Sequence, residues 1–364
     1  MLSSREKISI RQAMILFLMF VYSVSIRIFP PYASKSAGRA GWLAPVPAIL
    51  PFICLVLIIQ ALFRDDTEAS LSDIIYKNIG KFFGTILLVL NLIWQLIALG
   101  IIVRNFAERF LSSLLPDTAP GFFTATMLAV VFLTLRGGIV NISRTAEFLF
   151  IIITFIFFVL FLLTIPNFEV INLFPVTYYD TLPVLQASYS NIGMWSIFTF
   201  IFFFADKINN KEHIKRFGLQ SAAYLAIMSL MLLIQTIGVY GYSVIERIPL
   251  AYSFVVKSIS VLETIERIES IAVVSWVIAD FITISVTLYI AVNILKSLFS
   301  LSDVKPFISP VTIFAFIFSM YIANNKFELE NFTNTITMPT NLILGFLFPL
   351  IILIVKKIRN GGQA

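Results

Sequence analysis

The chain has 364 residues, of which 59% are hydrophobic and only 13% charged, whereas soluble domains run at about 45–50% apolar and about 25% charged. A water-soluble globular protein is therefore excluded, and the mean hydropathy of +0.94 points the same way. One Cys and one His rule out a disulfide framework and a Cys/His metal cluster, so no metal and no cofactor is expected.

Ten apolar blocks follow one another, at residues 8–33, 42–63, 82–115, 121–135, 146–165, 187–205, 217–240, 265–299, 307–324 and 336–355. About 20 apolar residues cross the hydrocarbon layer as a helix. The first, third and eighth blocks exceed that length and are expected to tilt, project or be interrupted; the fourth is short. Arg5 and Lys7 ahead of the first block also fit a signal peptide. Retention as a span is expected, because Pro30 and Pro31 stand where cleavage would have to fall.

Orientation follows from where Lys and Arg lie, since short cytoplasmic loops accumulate positive charge. With the N-terminus inside, the inner segments hold most of the 26 basic residues, and the loop at 166–186 between spans five and six holds none. Both termini are thus expected in the cytoplasm. The net charge of +6 is this inner-leaflet bias and needs no nucleic-acid partner.

Residues 1–364 read as a single transmembrane domain, all-α. Five crossings in 8–165 and five in 187–357 form two units, and an odd number of crossings turns the second unit upside down. A 5+5 inverted repeat of the LeuT-like kind has broken helices 1 and 6, with the substrate held between them. SVSIRIFPPYA at 23–33 places Ser, Arg and two Pro inside the first block, and SYSNIGMWS at 188–196 clusters small polar residues around Gly193 in the sixth. A Pro kink in one helix and a polar start in the other is the plainer reading of each.

At these positions the chain resembles a known family. FPPYASKSAGRAGWL at 29–43, NLFPVTYYDTLPVL at 172–185 and RIESIAVVSWVIADF at 267–281 are similar to the permease-like B subunit of bacterial spore germinant receptors, a branch of the amino acid/polyamine/organocation superfamily. The resemblance implies a subunit in the spore inner membrane that binds a small nutrient, an amino acid or sugar, and triggers germination with receptor A and C subunits. Many members carry a Glu after the Gly of the sixth span. Here Gly193 is followed by Met194 and Trp195, so a site using that carboxylate cannot be assumed. An ion-coupled amino acid transporter is the competing function, because it needs the same pocket.

Ionisable groups inside a membrane cost about 2.5–3.5 kcal/mol each on insertion scales, which makes each a functional candidate. Arg27, in the first span, either contacts a ligand carboxylate, pairs with Asp280 of the eighth, or snorkels to an interface. Ser23, Ser25, Asn91, Gln95, Asn191, Gly193, Thr283 and Thr287 complete the candidate ligand-binding set, from spans one, three, six and eight. Arg104 and Glu108, four apart near the end of the third block, and Glu266 and Glu269 at the start of the eighth are candidates for an outer gate or a partner contact. Catalysis is not expected: His213 sits in the charged stretch KINNKEHIKR, Cys54 is a packing residue of span two, and Gly137-Gly138 and Gly361-Gly362 lack the flanks of a phosphate loop.

Overall fold

A computed structural model describes residues 7–361 apart from 114, 116, 249, 260–268 and 324–325; of a few more, Glu269 among them, only the backbone is described. By length and composition, eight helical segments among these residues can cross a membrane, and two apolar helices of 17 residues are shorter.

The first span, α1 (Ile10–Ala37), starts at a capping box in which Ser9 and Gln12 each satisfy the other's backbone amide. It ends at Gly38, whose φ of 56° turns the chain into a 3-10 segment, Gly38–Leu43. Contrary to the expected break at 23–33, α1 runs helically through Pro30 and Pro31. The two prolines remove only the amides that would close onto the carbonyls of Ile26 and Arg27. Elsewhere in the span no water is at hand to replace the helical bonds, so the helix persists.

Then come α2 (Pro45–Phe63), the short α3 (Leu71–Ile79) and α4 (Lys81–Ser113). They are followed by α5 (Pro120–Arg136) and α6 (Ile139–Thr164). A loop of 3-10 turns leads to α7 (Thr181–Trp195). At Ser196 this sixth span tightens into a 3-10 segment, Ser196–Lys207, with Phe204 off helical angles at φ −110°, ψ 30°. The expected irregularity of the sixth span is present as a change of winding just after Gly193.

The remainder is α8 (Ile214–Tyr240), short α9 (Tyr242–Ile245) and α10 (Ala251–Lys257), then α11 (Glu269–Leu298) and α12 (Lys305–Tyr321). The last span is a chain of short pieces, α13 (Lys326–Phe332), α14 (Met338–Leu342) and α15 (Phe348–Gly361), joined by two π-helical segments, Thr333–Thr337 and Ile343–Leu347.

Because α1 is apolar on nearly every side, it goes to the centre, where it packs on α7, α8, α11 and α6. The α11 helix lies along α4, α2 against α8 and α7, and α12 against α5 and α4. Phe148, Ile151, Phe155 and Phe158 of α6 remain exposed, as a lipid-facing side requires. The protein is an integral membrane protein.

One end of the bundle, the basic face, is tied together by polar contacts. Strands Ile8–Ser9 (β1) and Ile208–Asn209 (β2) pair in parallel, joining the foot of α1 to the end of the sixth span. Lys7 pairs with Glu68 at 2.6 Å, and Lys356 with Asp65 at 3.1 Å. Lys211 donates to the carbonyls of Ala205 at 2.6 Å and Ala69 at 3.1 Å. At the opposite end, Arg39 donates to Phe174 O at 3.0 Å and the Trp42 indole to Leu173 O at 3.4 Å. Two of the stretches that carried the family resemblance thus hold each other.

Candidate functional site

Four spans converge on a narrow cavity. Phe20, Val24, Arg27 and Ile28 face it from α1, and Trp94, Gln95 and Ala98 from α4. Met194, Ile197 and Phe200 come from the sixth span, and Thr333, Thr337 and Asn341 from the last. The lining is mostly apolar with a few convergent polar groups, the usual composition of a small-molecule site.

Where the last two walls meet, the packing leaves no slack. A Cβ on Gly345 would lie 2.4 Å from the Ser196 carbonyl oxygen, so only glycine lets the two backbones touch there. A Cβ on Gly193 would stand 3.3 Å from Met338 O, which gives Gly193 a packing role beside its place near the change of winding. Ser196 Oγ donates to Gly193 O at 2.7 Å and Asn341 O at 2.9 Å, and Thr199 Oγ1 to Gly345 O at 2.5 Å. Trp94 Nε1 donates to Asn341 Oδ1 at 2.9 Å, closing the ring from α4. The bonds to Asn341 O and Gly345 O supply donors to backbone beside and within the second π segment, whose altered ladder is common at functional sites.

Of the candidates read from sequence, Arg27 and Gln95 line this cavity. Gln95 is 2% exposed and its Nε2 lacks a partner among the described residues, a buried donor available to a ligand. Asn191 is buried one turn before Trp195, and neither of its amide atoms has a partner among the described residues. Asn91 spends its amide N–H on Leu87 O of its own helix at 2.9 Å. Ser25 points to the other side of α1, into a smaller cavity with Phe157, Tyr224 and Ser229.

The eighth span is not a wall. Thr283 and Thr287 donate to Ala279 O and Thr283 O, each at 2.8 Å, the ordinary way a helical Thr satisfies itself in an apolar setting. The fourth wall comes from the last span, which the sequence reading did not include. Its signal was the polar run TNTITMPTN at 333–341, cut by placing the edge of the last block at 336.

The direct ion pair of Asp280 is not the expected contact with Arg27, although the Arg27 charge still acts on this carboxylate. Asp280, 1% exposed, pairs with Arg109 of α4 at 3.3 Å, and the Ser23 hydroxyl donates to the same carboxylate oxygen. Arg109 also reaches Ser23 O at 3.3 Å and lies over the Trp276 ring, 5.2 Å from its centroid. The cluster joins α1, α4 and α11. Helical geometry explains the exchange: Ser23 is one turn from Arg27 and presents the same face of α1 to Asp280, while the long Arg109 side chain reaches in from α4. Sequence shows that a buried acid needs a base, not which base is beside it.

Arg104 and Glu108 pair along their own helix at 2.9 Å, both largely buried. Glu266 lies outside the described residues, and Glu269 opens α11 with only its backbone described.

The family model described as "Spore germination protein" matches residues 7–327. The chain belongs to the spore germination protein family. It is 24% identical to spore germination protein KB of Bacillus subtilis (strain 168) over 99% of this chain and 98% of that one. Spore germination protein YndE of the same organism is 22% identical over the full length of both. Among solved structures, the chain is similar to MHP1, a nucleobase-cation-symport-1 family transporter in a closed conformation with bromovinylhydantoin bound. The TM-score is 0.67 at 13% identity, over 93% of this chain and 76% of that one. It is similar also to MhsT in complex with L-phenylalanine, with TM-score 0.64 at 13% identity over 96% and 98%. These likenesses establish the LeuT-like fold.

Proposed function

We propose that this chain is the permease-like membrane subunit of a spore germinant receptor, which binds a small nutrient between spans one, three, six and ten and passes the binding event to receptor A and C subunits. The observation that carries the reading is the cavity that pairs Arg27 and the unpartnered Gln95 amide with an apolar wall of Phe20, Met194 and Phe200. Arg27 suits a carboxylate or a ring of hydroxyls, Gln95 an acceptor, and Met194 an apolar body. With Met194 at the position where many family members carry a Glu, the nutrient's polar end is held from α1 and α4. Family membership places the chain among spore germination proteins, so the spore inner membrane is its proposed location, with the basic face and both termini toward the cytoplasm. Its work is binding and conformational change, with no bond made or broken.

Binding shifts a conformational equilibrium only by the ligand's differential affinity for the two states, typically about 1–3 kcal/mol of coupling. The segments able to differ between states are the 3-10 stretch of the sixth span and the π segments packed on it. The test is germination of spores carrying Arg27→Ala, with subunit abundance measured alongside. Loss of the nutrient response at normal abundance supports the reading, and an unchanged response opposes it.

A second reading, an ion-coupled carrier, draws on the solved neighbour named for cation symport. Reconstituted protein that concentrates an amino acid under an ion gradient would favour it. Against a need for an external cation stands Arg109, which already supplies a positive charge to the buried Asp280.

A further inference from the structure

We propose that a cleft on the basic face, separate from the mid-span cavity, binds a phosphate-bearing anion. It lies between the α5–α6 turn, the end of the sixth span and the α11–α12 turn, and opens to the surface. Arg136, Arg144, Lys207, Lys296 and Lys305 line it, against a single lining acid, Asp303.

Two of these cations are engaged. Lys296 holds Asp206 at 2.8 Å, and Lys305 sits 3.8 Å from Asp303 with both side chains mostly exposed. Arg136 leans over the Phe132 ring at 5.7 Å, which leaves its charge unneutralised. Among the described residues, none of Arg136, Arg144 and Lys207 has a carboxylate within ion-pair distance. A positive-inside bias explains basic residues scattered over cytoplasmic loops. It does not explain three unneutralised ones converging on one concave space.

The backbone adds to them. The 26-residue α6 has Gly138 as its N-cap, whose φ of 84° and lack of a side chain leave the helix without a side-chain cap. Gly137, Gly138, Ile139 and Val140 all line the cleft; the amides of Gly137, Gly138 and Asn141 are taken by Thr134 O, Leu135 O and Gly138 O, which leaves those of Ile139 and Val140 at the start of the helix for an anion. A helix N-terminus with its positive dipole end favours an oxyanion. Guanidinium forks from Arg136 and Arg144 match a tetrahedral phosphate bidentately, and Lys207 adds a point charge. The cleft also has depth: it reaches Tyr289, two turns before Lys296 on α11, about 10 Å further in. Tyr289 rests on Phe204 with ring centroids 5.2 Å apart. An anion seated here would meet the end of the sixth span at Lys207 and α11 at Lys296 and Tyr289, the last of which packs on the off-helical Phe204.

The phosphate can come from a soluble ester or from a lipid headgroup, and two arms separate them. In the first, the full chain in phosphatidylcholine nanodiscs is titrated with pyrophosphate by calorimetry. In the second, nanodiscs also contain phosphatidylglycerol, and lipid retained on the protein is counted by native mass spectrometry. Each arm compares the parent protein with a cleft triple variant (R136Q, R144Q, K207Q) and a control triple variant removing the same charge outside the cleft (K215Q, R216Q, K357Q). Saturable binding in either arm, weakened at least about tenfold by the cleft variant and unchanged in the control, is expected. The first arm identifies a soluble phosphate and the second a headgroup. Absence of saturable binding in both arms, or equal weakening in the control, would overturn the proposal. No substitution touches the mid-span cavity, so failure here leaves the nutrient reading standing.

Discussion

At the scale of single residues, the Asp280–Arg109 pair is the most consequential contact, because both side chains are almost fully buried. Removing one partner strands the other charge, at a cost of about 3–5 kcal/mol. Arg109→Gln and Asp280→Asn are each expected to lower the melting temperature strongly, and the double variant to lose much less than the sum. Additive losses in a double-mutant cycle would show that the two do not interact. Glycine gives a second contrast. Gly345→Ala forces a Cβ into the Ser196 carbonyl, where nothing but backbone can move, and overpacking of this kind costs about 1–3 kcal/mol. Gly193→Ala meets Met338 O at a distance a few tenths of an ångström of movement relieves, so its melting temperature should fall by less than that of Gly345→Ala. Equal losses in purified protein would contradict the packing described here.

At the scale of elements, the interlock between the 3-10 part of the sixth span and the π segments of the last rests on two hydroxyls. Ser196→Ala and Thr199→Val each remove a buried donor to a carbonyl, worth about 1 kcal/mol. Faster hydrogen exchange confined to 333–347 is the expected result, and unchanged exchange there would place the interlock elsewhere. At the basic face, the Lys7 hydrogen bond and charge hold the Glu68 carboxyl below its ordinary range, and Lys356 does the same for Asp65. A lowered folded-state value means that the stabilisation is present above the unfolded carboxylate range of about 4 and is lost as pH falls through the lower folded value. Both acids are exposed, so the effect is small. A Glu68→Gln/Asp65→Asn variant should melt slightly below the parent from pH 7 to about pH 5, with the gap closing in stronger acid. A gap that persists there would remove these pairs from the ties that join the α2–α3 loop to the foot of α1 and to α15.

At the scale of the whole molecule, the membrane class was legible because composition and block length act on every residue, and the LeuT-like fold was reached from the number of apolar blocks and the polar interruption of the sixth together with the family resemblance. Gln95 and Arg27 could be found because a polar group in an apolar helix needs a reason. The choice of walls could not be read. Thr283 and Asn341 look alike as polar residues in apolar spans, and only packing shows that one satisfies its own helix while the other bonds Trp94 across the cavity. Pro30 and Pro31 misled for a related reason: proline marks two missing amides, but surrounding lipid and protein decide whether the helix opens. Equilibrium binding of free amino acids and sugars to the purified protein, compared with Arg27→Ala and Gln95→Leu variants of parental melting temperature, tests the central claim most directly. The account predicts saturable binding of at least one nutrient, weakened roughly tenfold or more by each variant. Binding that neither variant alters would contradict it.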